Sequence, residues 1–151
     1  MDKFFTYEGV NLHYTDRGAG QAVVLLHGWG CDCNIFGAAK AWAEEHFRTI
    51  AVDFAGFGQS GEPKEAWGVE QYTQSIEALI KHEGIENPIL IGHSFGGRVS
   101  IVFASRNKVR KIILTDAAGV KPKRSLRYYV KVYSFKAMKR LAPLFLGKKR
   151  A

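Results

Sequence analysis

Apolar and polar positions follow two rhythms along this chain. From Lys3 to Tyr7 and from Val10 to Thr15, aromatic and β-branched residues form short runs separated by Glu8-Gly9, which predicts a β-hairpin. Arg17 to Gly20 then reads as a loop. Val23-Val24-Leu25-Leu26 is apolar at every position and ends in His27-Gly28-Trp29-Gly30, the pattern of a strand covered on both faces. A helix is predicted from about Asn34 to Glu45, a strand from Arg48 to Val52 that ends at Asp53, and a turn at Gly56 and Gly58. Within Val69 to His82, Tyr72, Ile76, Leu79 and Ile80 recur at helical spacing, and Gly84 and Pro88 punctuate the chain before the strand Ile89-Leu90-Ile91. A helix to about Ser105 and a further buried strand from Val109 to Thr115 follow. From residue 20 onward strand and helix alternate. The pattern therefore predicts an α/β fold, a doubly wound and mostly parallel sheet with an antiparallel opening hairpin.

Composition adds little to that picture except through charge. With 151 residues and 46% hydrophobic content the chain can bury one core, and it has no repeat or low-complexity tract. The first residues lack a basic segment followed by a long apolar one, and no stretch approaches the ~18 apolar residues of a spanning helix, so a cytoplasmic location is the expectation. The net charge of +8 is unevenly placed: residues 1–120 carry 11 Lys and Arg against 14 Asp and Glu, and residues 121–151 carry 11 Lys and Arg with no acid. A nucleic-acid surface would spread cations over the folded face, so no nucleic-acid partner is expected. Cys31 and Cys33 are too close for an easy bridge and too few for a metal cage. They are expected to be reduced thiols, and no metal is implied.

Ends of parallel strands gather ligands, and three predicted strand ends carry distinctive residues: His27 to Gly30, Asp53 to Ser60, and Ser94. Gly92-His93-Ser94-Phe95-Gly96-Gly97 has the G-x-S-x-G spacing. A serine at the tip of a tight strand-to-helix turn takes a strained backbone, and flanking glycines keep side chains from colliding there, so the hydroxyl is held out toward a substrate. The alternative, a glycine-flanked helix cap, fits the apolar strand before Ser94 less well. Phosphate-loop and dinucleotide readings fail on the absence of a Lys-Ser/Thr pair and on glycine spacing. A serine nucleophile needs donors for a tetrahedral oxyanion. The Phe95 N–H at a helix start suits this, and the Gly28-Trp29-Gly30 loop can bring the Trp29 N–H as the second donor.

These motifs, in this order, resemble the amino-terminal portion of the α/β-hydrolase fold family: an oxyanion loop at His27-Gly28-Trp29-Gly30, a D-x-x-G-x-G-x-S turn at Asp53, Gly56, Gly58 and Ser60, and a nucleophile elbow at Ser94. The resemblance runs from the opening hairpin through Ala118 and implies a cofactor-free serine hydrolase acting on a small-molecule acyl substrate. Dehalogenases and epoxide hydrolases of the fold are similar but carry aspartate where this chain has Ser94. By the same resemblance His27 and Asp53 are structural residues that brace loops near the site; His93, directly before Ser94 on a sharp turn, is expected to project away from the hydroxyl and at most to shape the pocket. Asp116, at the end of the last strand, is a candidate triad acid, although relatives more often place the acid one strand later. His13, His46 and His82 are expected at the surface.

The family order is serine, acid, histidine, and no histidine follows Ser94. The chain is therefore expected to be truncated before the triad is complete, incomplete at its C-terminal side, and weakly active alone, with residues 109–115 forming an open sheet edge. Residues 1–120 form the hydrolase core in this reading. Residues 121–151, with Leu126, Tyr129, Val130, Tyr133, Ala137, Met138 and Leu141 at helical spacing among lysines and arginines, form a basic amphipathic segment that resembles the start of a cap. The alternative is a non-catalytic scaffold whose tail binds an anionic membrane surface or a protein partner. Substrate identity and oligomeric state stay open.

Overall fold

The computed structural model describes residues 2–120 and 125–145, and the chain divides into a unit of residues 1–119 and a second of residues 120–151. In chain order the elements are β1 (Asp2–Tyr7), β2 (Val10–Arg17), β3 (Ala22–Leu26), a 3-10 turn (Cys33–Phe36), α1 (Gly37–His46), β4 (Arg48–Val52), α2 (Val69–His82), β5 (Ile89–His93), α3 (Phe95–Arg106), β6 (Lys111–Thr115) and α4 (Leu126–Phe145). The sheet order is β1-β2-β4-β3-β5-β6. The β1–β2 and β2–β4 pairings are antiparallel and the others parallel, so the expected antiparallel opening hairpin and parallel strands are both present, and the antiparallel pairing of β2 with β4 adds to them.

The unbroken apolar run of β3 is explained by its place in the middle of this sheet. Val24 and Leu26 face one side with Ile50, Val52 and Leu90, where Ile76 and Leu79 of α2 and Val99 and Phe103 of α3 close the core. Val23, Leu25 and Ala51 face the other side with Cys33, Phe36 and Phe47 around α1. Helices on both faces leave the carboxyl ends of β3, β4, β5 and β6 at one margin of the sheet, the place where α/β folds bind ligands.

Several boundaries differ from the sequence expectation; β2 runs on to Arg17, where a loop is expected, because Asp16 and Arg17 pair with Ile50 and Thr49 of β4. The helix expected from Asn34 splits, because the Asp32 carboxylate accepts the Asn34 N–H (2.8 Å) to cap a 3-10 turn and Gly37 at φ +42° breaks it before α1 begins. Strand β6 begins at Lys111 rather than Val109, since its ladder starts opposite Ile89 and the preceding Pro88 has no N–H to extend it. At the margin of the described sheet, Ile113 and Leu114 of β6 are exposed.

The expectation that His13 lies at the surface is wrong. Its strand, β2, is flanked by β1 and β4, and its ring is 1% exposed beneath Phe4, with Nδ1 2.8 Å from Asp53 Oδ2 and Nε2 3.1 Å from Asp2 Oδ1. His46 and His82 are exposed. At the opposite margin of the sheet Arg48 grips Asp16 with two nitrogens (3.1 and 2.9 Å) and also pairs with Glu83, while Lys3 reaches Asp16 at 2.7 Å. The Arg48 hydrogen bonds, opposed by burial and helped by Lys3, hold the Asp16 carboxyl down at about 2. This network joins β1, β2, β4 and the end of α2.

Within the second unit α4 carries five cations, Arg127, Lys131, Lys136, Lys139 and Arg140, and no acid. By the 3.6-residue repeat, Tyr128, Val132 and Phe135 fall across the helix from the stripe of Leu126, Tyr129 and Tyr133, so apolar positions occur on both sides. Residues 121–124 and 146–151 of the basic segment lie outside the described residues. Among the described residues no helix is long and apolar enough to cross a membrane.

Candidate active site

Ser94 occupies the turn between β5 and α3 at φ +48° and ψ −107°, a backbone state that a side chain strongly disfavours. Three hydrogen bonds hold it there. The Ser94 N–H donates to the Thr115 carbonyl (3.0 Å), and the Ser94 carbonyl accepts from Ala118 (2.8 Å) and Arg98 (3.3 Å). The turn is tight enough that Gly96 donates its N–H to the His27 carbonyl at 3.0 Å, and a Cβ at Gly96 would collide with the backbone of Leu26 and His27. The residue types of the motif thus follow from the close approach of α3 to the end of β3. The Ser94 side chain is half-buried, and among the described residues nothing hydrogen-bonds its hydroxyl.

The loop after β3 runs directly beside this serine. A Cβ built on Gly28 would lie 3.3 Å from the Ser94 Cβ and 2.8 Å from His93 Nδ1, so only glycine lets the loop pass. Gly30 follows at φ +79°, and Cys31 closes the turn by donating to the Gly28 carbonyl (3.1 Å). Between the two glycines, the Trp29 N–H has no acceptor among the described residues. The Phe95 N–H, first in α3, likewise has none, as the first donors of any helix must. Two free donors and the positive end of a helix dipole therefore flank the serine turn.

His27 is fully buried and both of its nitrogens are committed: Nε2 accepts the Phe54 N–H (2.9 Å), which leaves Nδ1 to donate to the Gly28 carbonyl (2.7 Å). Burial, partly offset by the Gly28 carbonyl, pushes its pKa below the ordinary histidine value. It fixes the loop in its neutral form and has no lone pair to offer a hydroxyl. Asp53 is a second brace. Its carboxylate accepts N–H groups from Cys33 (2.6 Å) and Gln59 (3.0 Å) and faces His13, while Ser60 donates to its carbonyl (2.6 Å) and accepts the His13 N–H (2.8 Å). Burial pushes the carboxyl up, but the Gln59, Cys33 and His13 donors outweigh it and the pKa lies below the usual value.

His13, Cys33 and Asp53 bring three buried metal-ligand atoms within 4.8 Å. The chemistry of the set does not fit an ion. Asp53 already accepts N–H groups from Cys33 and Gln59 and lies 2.8 Å from His13 Nδ1, so the set is closed on its own hydrogen bonds. Sequence reasoning missed His13 because a histidine in a hairpin strand gives no sign of which side of the sheet will be covered.

His93 is half-buried, with Nδ1 lacking a partner, and makes no hydrogen bond to Ser94 among the described residues. Asp116 is exposed at φ +46°, with no histidine against it among the described residues. The structure thus brings Ser94, Trp29, Phe95, His27, Gly28, Gly30 and His93 together, with Asp53 bracing their loop, and leaves Asp116 facing solvent.

The fold and sequence are similar to those of known proteins. The family model for the α/β-hydrolase fold matches residues 21–137, and the chain belongs to that family. It is 34% identical over 124 residues to 2-hydroxy-6-oxo-2,4-heptadienoate hydrolase of Pseudomonas putida, covering 74% of this chain and 43% of that one. It is 31% identical over 119 residues to soluble epoxide hydrolase of Corynebacterium sp., covering 72% and 38%. Among solved structures it is similar to an esterase from Exiguobacterium antarcticum, with a TM-score of 0.75, 28% identity and coverage of 97% of this chain and 59% of that one. The chain spans less than half the length of the two curated relatives. These relatives are named as hydrolases.

Proposed function

We propose that this chain carries the nucleophile half of a serine hydrolase that acts on a small ester or related acyl substrate. The single observation that supports this most is the conformation of Ser94, an L-residue held at φ +48° by three backbone bonds with two unengaged N–H groups beside it. Strain of this kind has a use when it aims a hydroxyl. In the reaction, the Ser94 oxygen attacks the carbonyl carbon and its proton passes to a base. The carbonyl π electrons move to oxygen, where the Trp29 and Phe95 N–H groups receive the charge. Collapse expels the alcohol, which takes up a proton, and water then releases the acid from the acyl-serine. No histidine follows Ser94 in the order serine, acid, histidine, and both nitrogens of His27 are engaged elsewhere, so His27 is not that base. Turnover by these residues alone is expected to be slow.

The test is chemical. A fluorophosphonate should phosphonylate the chain slowly at Ser94, and added imidazole, as an external base, should accelerate it. An adduct that maps elsewhere, or survives Ser94→Ala, contradicts the proposal. That no histidine follows Ser94 in this sequence motivates a second reading, a non-catalytic scaffold whose helix cations engage anionic lipid. Co-sedimentation with phosphatidylglycerol vesicles that persists after residues 121–151 are deleted removes that reading.

A further inference from the structure

Trp29 enters the proposed reaction through its backbone, which leaves its side chain unexplained. The indole is 62% exposed, although it belongs to a loop fixed by His27 and Asp53. It meets Phe57, Phe95 and Tyr72 edge to face at centroid separations of 4.8, 5.3 and 6.0 Å, so its orientation is set by packing. Trp29 also lines an open hollow of about 310 Å³, together with Phe57, Pro63, Trp67 and Tyr72. Glu62, Glu65 and Lys64 line the same hollow, two acids to one cation. A largely exposed indole, oriented by packing and in contact with Phe95, the residue after Ser94, offers stacking rather than hydrogen bonding, and its charged neighbours do not favour an anion.

We infer that the Trp29 indole is a specificity element, and that the substrate bears a neutral aryl group which stacks on it. The inference rests on Ser94 being the reacting residue, since that is what brings a substrate beside Trp29. A flat ring gains from stacking on an oriented indole, whereas an alkyl chain or a puckered ring of similar bulk gains only from burial.

The experiment is a binding measurement on the 151-residue chain by saturation-transfer NMR, with methyl benzoate, methyl cyclohexanecarboxylate and methyl butanoate as probes. Methyl benzoate is expected to bind about three- to ten-fold more tightly than either of the others. Trp29→Ala should erase that preference, and Trp29→Phe should retain part of it. Because the side chain is largely exposed, Trp29→Ala should remain folded, which circular dichroism checks directly. Ser94→Ala should leave the preference intact, so a failure of the nucleophile proposal in fluorophosphonate labelling is read separately. Equal binding of the benzoate and cyclohexane esters, or an aryl preference that survives Trp29→Ala, overturns the inference.

Discussion

Replacing Ser94 by glycine should make the protein more stable, and the sign of that effect is diagnostic. At most positions glycine is worse than alanine by roughly 0.5–1 kcal/mol, because the unfolded chain gains freedom. At φ +48° and ψ −107° the balance inverts. A side chain held in such a region costs about 1–3 kcal/mol, and glycine removes that cost while alanine, which keeps the Cβ, does not. Setting the two against each other predicts Ser94→Gly to be more stable than Ser94→Ala by about 1 kcal/mol, or about 2–4 °C in Tm for a chain of this size. The hydroxyl contributes little to the comparison, since among the described residues it makes no hydrogen bond and both variants lack it. Urea and thermal denaturation followed by circular dichroism, run on both variants and the parent, measure the difference. If Ser94→Ala proves equal to or more stable than Ser94→Gly, the turn is not strained and the case for an aimed hydroxyl loses its physical basis.

Other parts of the structure give further expectations. Asp53→Asn should destabilise by about 3–5 kcal/mol in urea denaturation, because an amide nitrogen must then face one of the Cys33, Gln59 or His13 donors; a loss under 1 kcal/mol would show that Asp53 is not a brace. The Asp16 carboxyl lies at about 2 against an ordinary 3.8, a depressed value, so its contribution is fully present above pH 4 and is lost as pH falls through 2. The stability of the parent relative to Asp16→Asn should therefore shrink by about 2 kcal/mol between pH 4 and pH 2, and a constant difference over that range would contradict the assignment. Cys31, half-buried, should react with iodoacetamide at pH 8 in the folded protein, whereas buried Cys33, with its thiol pushed up to about 12, should react only on unfolding. Mass spectrometry after timed quenching distinguishes them.

Much of the fold was legible because its signals are local. The apolar run Val23 to Leu26 and the glycine spacing around Ser94 are consequences of burial on two faces and of a close helix approach, and both leave residue types behind. The helix Val69–His82 was legible in full, since one face alone meets the core. What escaped notice depends on distant partners. His13 reads as a surface histidine until Asp53, forty residues later, is known to lie against it, and the Arg48, Asp16, Lys3 and Glu83 network joins four separate elements. The break at Gly37 has a local cause, the Asp32 cap and the glycine at φ +42°, which helical periodicity alone does not register. The exposure of the Trp29 ring was not readable at all, because it depends on which aromatic neighbours the loops after β4 bring beside it.

The central claim is that Ser94 faces two peptide N–H groups able to hold an oxyanion. A crystal structure of the chain after phosphonylation by a fluorophosphonate tests it most directly, since the tetrahedral adduct places its polarised phosphoryl oxygen where the tetrahedral intermediate would place its oxyanion. The account predicts that oxygen about 3 Å from the nitrogens of both Trp29 and Phe95. An adduct whose oxygens point to solvent, with either N–H turned away, would contradict it.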